Sequence, residues 1–414
     1  MLTSYILRRG LGGLITTGAL TVVLPDGQAL AFGDGSGPPI RVRFTDARAV
    51  WAVILDPDLR TGEMFTEGRL VVDEGTIYDF LCLVLRHAHG ADSGPLDAIL
   101  DPLREALRAL FARNDRRASR RNVERHYDLD DRLYALFLDP DWQYSCAYFE
   151  PPDLTLAQAQ RAKQRHIAAK LLVGPQDRVL DIGCGWGGFA CYLAATAGAA
   201  QVLGVTLSGQ QIDGARARAE ALGLAERVSF RLLDYRELTG SFDRIVSIGM
   251  FEHVGRANYD AFFRTCAQRL EPDGLMVLHT IGSTEAPALT NPWITRYIFP
   301  GGHLPSLSEI VASAERADLI VTDVEVWRLH YARTLRAWRD AFMARRAEAA
   351  AMFDERFCRM WEFYLALAEA AFRHDEIVVF QVQLTRRIET APLARSYIAT
   401  ASAGLQAREA AGPD

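Results

Sequence analysis

The stretch Val179-Leu180-Asp181-Ile182-Gly183-Cys184-Gly185-Trp186-Gly187-Gly188-Phe189 constrains this chain more than any other. Its opening is short, apolar and continuous, as a parallel strand covered on both faces should be. It runs straight into a glycine-rich turn and then a helix. Gly183 and Gly185 open backbone angles closed to other residues and let the chain pass close to a ligand. Gly187 and Gly188 let the following helix pack tightly on the sheet, and its N-terminus offers N–H groups to a polar ligand.

Gly183, Gly185 and Gly188 match the dinucleotide pattern G-x-G-x-x-G, which alone is a weak signal. A nicotinamide site also asks for an acidic residue about 20 positions on, at the end of the next strand. Here that strand runs into Gly204-Val205-Thr206-Leu207-Ser208, with no acid for a ribose and no arginine for a 2′-phosphate. Nicotinamide is therefore disfavoured. Asp181 just before the turn, in Leu-Asp-Ile-Gly-Cys-Gly, has the look of an S-adenosylmethionine site. The plainer reading is a glycine turn that serves packing only.

At 414 residues the chain exceeds one core of usual size, so two domains are expected. The net charge of −6 argues against a general nucleic-acid binder. The six cysteines are scattered, with no C-x-x-C and no paired Cys/His spacing. That suits a reducing cytoplasm and speaks against structural zinc, so no metal is expected. Arg8-Arg9 and the apolar run over 10–24 have the outline of a signal peptide. Residues 17–24, Pro25-Asp26-Gly27 and 28–32 read better as strand, turn, strand, and the run is too short to span a bilayer. Any membrane contact is then peripheral.

Residues 1–112 read as a small α+β domain. After the hairpin come a strand over 40–44, a helix over 47–55, a glycine-punctuated segment over 62–72 that turns back, and a helical stretch over 76–87. His87 and His89 have no evident third ligand and are read as surface residues. Residues 113–125 form a basic linker helix, with Arg113, Arg116, Arg117, Arg120, Arg121 and Arg125 against Asp115 and Glu124. It suits either a solvated helix face or anionic phospholipid headgroups, where each basic residue contributes about 1 kcal/mol.

From Arg178 strands and helices alternate. Strands are predicted near 178–182, 201–206, 228–233, 242–248 and 274–280, with helices near 187–196, 208–222 and 257–269. Two further strands are expected over 319–327 and 377–384, separated by a long helical segment over 334–372. This is an α/β, doubly wound, Rossmann-like sheet of the class I methyltransferase type with a helical cap. Its seventh strand would be an antiparallel insertion.

In such sheets the ligand lies beyond the carboxyl ends of the strands, at the switch point of strand order. The fourth strand ends in Met250-Phe251-Glu252-His253-Val254-Gly255 and the fifth in Leu278-His279-Thr280-Ile281-Gly282. Topology thus brings Glu252 and His279 to one mouth. The following segment, with Trp293, Tyr297 and Phe299, and the later Trp361, Phe363, Tyr364 and Phe372, is rich in aromatics. It suits a helical core, a channel for a long acyl chain above the methyl donor, or both.

With these pieces in hand, the sequence resembles the cyclopropane fatty acid synthases. The matching strings are His126-Tyr-Asp-Leu, Tyr144-Ser-Cys-Ala-Tyr, Val179 through Gly188, Gly204-Val-Thr-Leu-Ser, Asp243-Arg-Ile-Val-Ser, Phe251-Glu-His-Val-Gly, Leu278-His-Thr-Ile-Gly and Trp293 through Pro305. The resemblance implies methyl transfer from S-adenosylmethionine to a cis double bond of a phospholipid acyl chain. An alkene is a poor nucleophile, so the sulfonium must be held in line with it. The resulting carbocation calls for aromatic faces and the exclusion of water. A base then takes a proton from the new methyl group and the ring closes.

Residue by residue, the resemblance implies a bicarbonate base held by Cys146, Glu252, His279, the backbone of Ile281, and Tyr331. It implies a donor site of Tyr144, Ser145, Gly183, Gly185, Thr206, Leu207, Gln211, Asp234, Tyr235 and Ile248. It further implies a catalytic domain over 126–387, leaving 388–414 as a tail without a match. The expected enzyme is a homodimer, cytoplasmic and peripheral at the inner membrane surface, with the N-terminal domain helping it reach unsaturated phospholipid. Relatives that deliver a methyl or methylene branch share the first step. A non-catalytic donor- or lipid-binding protein and a small-molecule methyltransferase are the readings from other classes.

Overall fold

The computed structural model describes residues 2–88 and 130–411. The basic linker 113–125, the His126-Tyr127-Asp128-Leu129 string and His89 lie outside the described residues. The chain divides into two compact units, each discontinuous in sequence.

The first unit draws on Met1–Ala112, Leu289–Pro300 and Ala332–Ile377. A helix, Leu2–Leu14, precedes β1 (Ala19–Val23), β2 (Ala29–Phe32) and β3 (Pro39–Phe44). Helices Ala47–Leu55 and Pro57–Thr66, β4 (Leu70–Glu74) and helix Ile77–Ala88 follow. The sheet order is β2-β1-β3-β4. The predicted hairpin is present: β1 and β2 pair antiparallel, and Leu24 N–H donates to Gln28 O at 2.9 Å across the turn. Leu20, Val22, Leu30, Phe32, Ile40, Val42 and Phe44 are buried at every second position, the period of a sheet with one covered face. Asp46 caps the helix Ala47–Leu55 by accepting from Ala49 N–H.

One segment differs from the sequence expectation. Residues read as a turn-back over 62–72 instead begin inside the helix Pro57–Thr66, which runs through Gly62. A Cβ on Gly62 would stand 2.5 Å from Trp293 Nε1 and 2.6 Å from Phe363 Cε1. The glycine serves a close approach, not a break. Trp293, on helix Pro292–Tyr297, meets Phe363, on helix Glu355–His374, edge-on at 4.6 Å. Phe65, 5.9 Å from Phe363 between ring centroids, and Trp361 are buried in the same unit.

The second unit draws on Arg113–Ala288, Gly301–Tyr331 and Val378–Asp414. Its strands are β5 (Arg178–Ile182), β6 (Gln201–Thr206), β7 (Val228–Leu232), β8 (Phe242–Ile248), β9 (Leu270–Ser283), β10 (Ile320–Trp327) and β11 (Ile377–Thr385). They form one seven-stranded sheet in the order β10-β11-β9-β8-β5-β6-β7. Neighbours from β7 through β9 run parallel. The last strand, β11, inserts between β9 and β10 and is antiparallel to β10. The order changes direction at β5, whose residues pair with β6 on one side and β8 on the other. That is the switch point where a ligand is expected.

The tail left without a match folds into this unit. Its helix Ser396–Ala411 lies along helix Leu156–Leu171, and Glu409 accepts from Arg165 and from the Tyr192 hydroxyl, each at 2.6 Å.

Candidate active site

The glycine loop after β5 is built from left-handed backbone: φ is +83° at Gly183, +53° at Gly185 and +76° at Gly187. The three glycines have different reasons. A Cβ on Gly183 would stand 2.6 Å from Met250 Cβ, and one on Gly187 would stand 2.6 Å from Phe230 Cζ. A Cβ on Gly185 would meet nothing within 4 Å. The first two glycines permit packing; Gly185 borders open space.

That space is a cleft beyond the ends of β5, β6 and β8. Tyr144, Ser145, Gly183, Gly185, Thr206, Leu207, Gln211, Tyr235 and Ile248 line it, and Asp234 does not. Both carboxylate oxygens of Asp234 bond Arg236, and its Oδ1 also accepts the Arg236 N–H. At the end of β6, Thr206 Oγ1 donates to Gln211 Oε1 at 3.0 Å. A neutral amide thus stands where a nicotinamide site carries an acid. Trp142, Trp186, Met250 and His253 also line the cleft and were not singled out in the sequence.

Asp181, next to last in β5, has an Oδ2 that is buried without a hydrogen-bond partner among the described residues. Burial pushes its carboxyl up to about 7, against the lowering effect of the Lys163 ammonium. His253 is pushed down to about 4 by burial and is neutral at physiological pH.

A second group lies at the ends of β8 and β9. Ile248 pairs with His279, and Gly249 N–H donates to His279 O at 2.9 Å. Glu252, in the turn after β8, accepts from Ile281 N–H at 2.6 Å through Oε1. Its Oε2 is buried with no hydrogen-bond partner among the described residues. Burial pushes the Glu252 carboxyl up to about 7, only partly offset by the N–H groups of Ile281 and Glu252 and by the Thr280 hydroxyl. His279 is held well below its ordinary value, first by burial and then by the positive Lys163 and Lys170. Gln381 Nε2 lies 3.1 Å from His279 Nδ1. With the amide as donor, Nδ1 accepts and Nε2 carries the proton.

Cys146 is fully buried, its thiol 3.4 Å from Ala147 O. Tyr331 is buried at the start of helix His330–Ala344. Their neighbours tie them to His279. Tyr148 stacks on Trp327 at 4.5 Å, Phe149 N–H donates to His330 Nδ1 at 3.0 Å, and Trp327 meets the His279 ring edge-on at 5.2 Å. A near-neutral carboxyl with one open oxygen, and a neutral imidazole on the adjoining strand, can each hold a small polar group and hold or move a proton. Among the described residues no cluster of His, Cys, Asp and Glu could hold a metal ion.

Sequence reasoning missed Lys163. It lies on helix Leu156–Leu171, is fully buried, and donates to Gln143 Oε1 at 2.6 Å and Ser145 Oγ at 2.9 Å. A lysine between glutamines in a helix reads as a solvent face, so composition carried no signal.

The strand order, the glycine loop after the central strand and the cleft beyond it define a class I, S-adenosylmethionine-dependent methyltransferase. The chain belongs to the mycolic acid cyclopropane synthetase family, whose model matches residues 114–382. It is 40% identical over 357 residues to the cyclopropane-fatty-acyl-phospholipid synthase of Escherichia coli (strain K12), covering 86% of this chain and 90% of that one. It is 36% identical over 368 residues to a probable fatty acid methyltransferase of Pseudomonas putida, covering 85% and 88%. Among solved structures, the cyclopropane synthase MmaA2 from Mycobacterium tuberculosis matches with TM-score 0.61 and 34% identity, over 64% of this chain and 97% of that one. The mycolic acid cyclopropane synthase CmaA1 complexed with SAH and CTAB matches with TM-score 0.61 and 36% identity, over 64% and 97%.

Proposed function

We propose that the chain is a cyclopropane-fatty-acyl-phospholipid synthase. It moves the methyl group of S-adenosylmethionine to a cis double bond of an unsaturated phospholipid acyl chain and closes the product to a three-membered ring. The sulfonium S–C bond breaks and a C–C bond forms to one alkene carbon. Loss of one proton from the transferred methyl lets its carbon bond the neighbouring cationic carbon. One observation carries this reading: Glu252, in the turn whose Met250 and His253 line the donor cleft, keeps a buried Oε2 with no hydrogen-bond partner among the described residues, although Glu252 does not itself line the cleft.

In this reading Tyr144, Ser145, Gly183, Gly185, Thr206, Leu207, Gln211, Tyr235 and Ile248 bind the donor. Asp234 acts through its cap on the turn that carries Tyr235, since Arg236 occupies its carboxylate. Cys146, Glu252, His279, the Ile281 backbone and Tyr331 would hold bicarbonate, which supplies the proton acceptor. The open Oε2 of Glu252 and the Nε2–H of neutral His279 fit such a group. Burial of Cys146, Glu252 and His279, at 0%, 6% and 2% exposure, supports a site from which water is kept.

The reading extends to a cytoplasmic homodimer, peripheral at the membrane. Residues 1–112 and the basic 113–125 would meet lipid, 126–387 would form the catalytic domain, and 388–414 a tail. Among the described residues no helix is long and apolar enough to cross a membrane.

The test is incubation of purified protein with S-adenosylmethionine and vesicles of unsaturated phospholipid, followed by gas chromatography–mass spectrometry of the fatty acids. A gain of one CH2 with a ring fragmentation pattern supports the synthase. A methylene fragmentation pattern, or a saturated methyl branch formed with added reductant, moves the assignment to a branching fatty-acyl methyltransferase. Unaltered chains beside bound donor overturn both.

A further inference from the structure

Helix Leu156–Leu171 carries Gln160, Lys163 and Gln164 on one face, at the i, i+3, i+4 spacing of neighbours. Each is at most 1% exposed. Burying an amide or an ammonium is unfavourable unless its hydrogen bonds are replaced. All three donate to one short segment, residues 141–145, while Gln160 Oε1 stays buried with no hydrogen-bond partner among the described residues. Gln160 Nε2 donates to the carbonyls of Gln143 at 3.1 Å and Ser145 at 2.9 Å. Lys163 Nζ donates to Gln143 Oε1 and Ser145 Oγ. Gln164 Nε2 donates to Asp141 Oδ2.

The segment they grip is a wall of the donor cleft: Trp142, Gln143, Tyr144 and Ser145 all line it. It also presses on the glycine loop, because a Cβ on Gly188 would stand 2.5 Å from Gln143 Nε2. The negative groups around the ammonium are Asp139, Asp141 and Asp181, and Cys146 also faces it.

We propose that Lys163, backed by Gln160 and Gln164, is a positioning residue for the methyl donor: it clamps residues 141–145 in the shape that closes the cleft. This rests on the reading of the cleft as the S-adenosylmethionine site. A segment this short, outside any helix or strand, lacks their internal ladder of hydrogen bonds. Its shape is set by the side chains that bond it: one face of helix Leu156–Leu171, Arg218 on Asp141, and Asp139, which accepts from the N–H groups of Asp141 and Gln143.

Lys170 supplies the internal comparison. It is the other fully buried lysine of the same helix, but it pairs with Asp323 at 3.2 Å and with Glu325, away from the clamped segment. A merely structural role for buried lysines predicts the same phenotype for both.

The experiment titrates S-adenosylhomocysteine into full-length wild type, Lys163→Met, Gln160→Leu and Lys170→Met by calorimetry, with folding checked by circular dichroism. Lys163→Met is expected to weaken binding by about tenfold or more, the loss of a charge-assisted pair of hydrogen bonds. Gln160→Leu should weaken it by about threefold or more. Lys170→Met should lower the melting temperature and leave the dissociation constant within about twofold. In turnover, Lys163→Met should raise the KM for donor and leave the KM for vesicle lipid unmoved. Folded Lys163→Met that binds as wild type overturns the inference. If Lys163→Met does not fold, Gln160→Leu decides by the same criterion. Failure of wild type itself to bind would instead overturn the donor reading beneath it.

Discussion

Glu252 Oε1 and the backbone N–H of Ile281 stand 2.6 Å apart, joining the turn after β8 to β9. The bond fixes one carboxylate oxygen and leaves the other, Oε2, buried and open. With its carboxyl pushed up to about 7, Glu252 exchanges its proton near neutral pH. His279, paired in register with Ile248 at the end of β8, stays neutral.

Glu252→Ala and His279→Ala are expected to bind donor as wild type and to lose product by about 100-fold or more, the scale of removing a proton-transfer group. Calorimetry with S-adenosylhomocysteine and fatty-acid mass spectrometry give the two readouts. Wild-type turnover in either variant would remove that residue from the mechanism.

Stability should depend on pH in a stated direction. Burial raises Glu252 from 4.5 to about 7 and Asp181 from 3.8 to about 7. Between those limits the native state holds protons that the unfolded chain has released, so these groups make stability fall as pH rises from about 4 to about 7. Glu252→Gln removes its share. Its stability relative to wild type should increase by on the order of 2–3 kcal/mol between pH 5 and pH 7.5, by urea denaturation of the donor-free protein. A difference that stays constant with pH would contradict the assignment.

Gly185→Ala and Gly187→Ala should separate binding from packing. Both carry the left-handed strain of roughly 1–2 kcal/mol. Only Gly187→Ala also drives a Cβ to 2.6 Å from Phe230, adding about 1–3 kcal/mol. Gly187→Ala should therefore lose more stability in denaturation, and Gly185→Ala more donor affinity per unit of stability lost. The reverse ranking would mean that the loop's packing and open sides have been misassigned.

Gly62→Ala sets two effects against each other. Ala favours a helix interior by about 1 kcal/mol over Gly. The overlap with the Trp293 and Phe363 rings, at 2.5 and 2.6 Å, costs about 1–3 kcal/mol. The melting temperature should fall, because buried ring atoms cannot swing aside as a flexible tip would. A rise would show that the helix contact is looser than it looks.

The elements legible in the sequence share a local cause. β5 and its loop follow from an apolar run and from glycines that need positive φ. The β1–β2 hairpin follows from alternating side chains around Pro25-Asp26-Gly27. Glu252 and His279 were brought to one mouth by strand order, a rule that needs only the sequence of elements. Gly62 shows the limit: a glycine reads as a break unless the rings packed on it are known. The helix Ser396–Ala411 was likewise silent, since its anchor is a pair of bonds from Glu409 to residues more than two hundred positions away.

By itself the sequence determined the strand–loop–helix unit, the alternation of the sheet and the identity of the residues at its strand ends, because those depend on near-neighbour sterics and hydrophobic period. Only the tertiary structure decided which polar groups are buried. Lys163, Gln160 and Gln164 have the composition of a wet helix face, yet they sit dry against residues 141–145. Desolvation is a property of what packs over a residue, and that is set by chain segments distant in sequence, so the proton held on Glu252 and the charge buried on Lys163 became visible only in three dimensions.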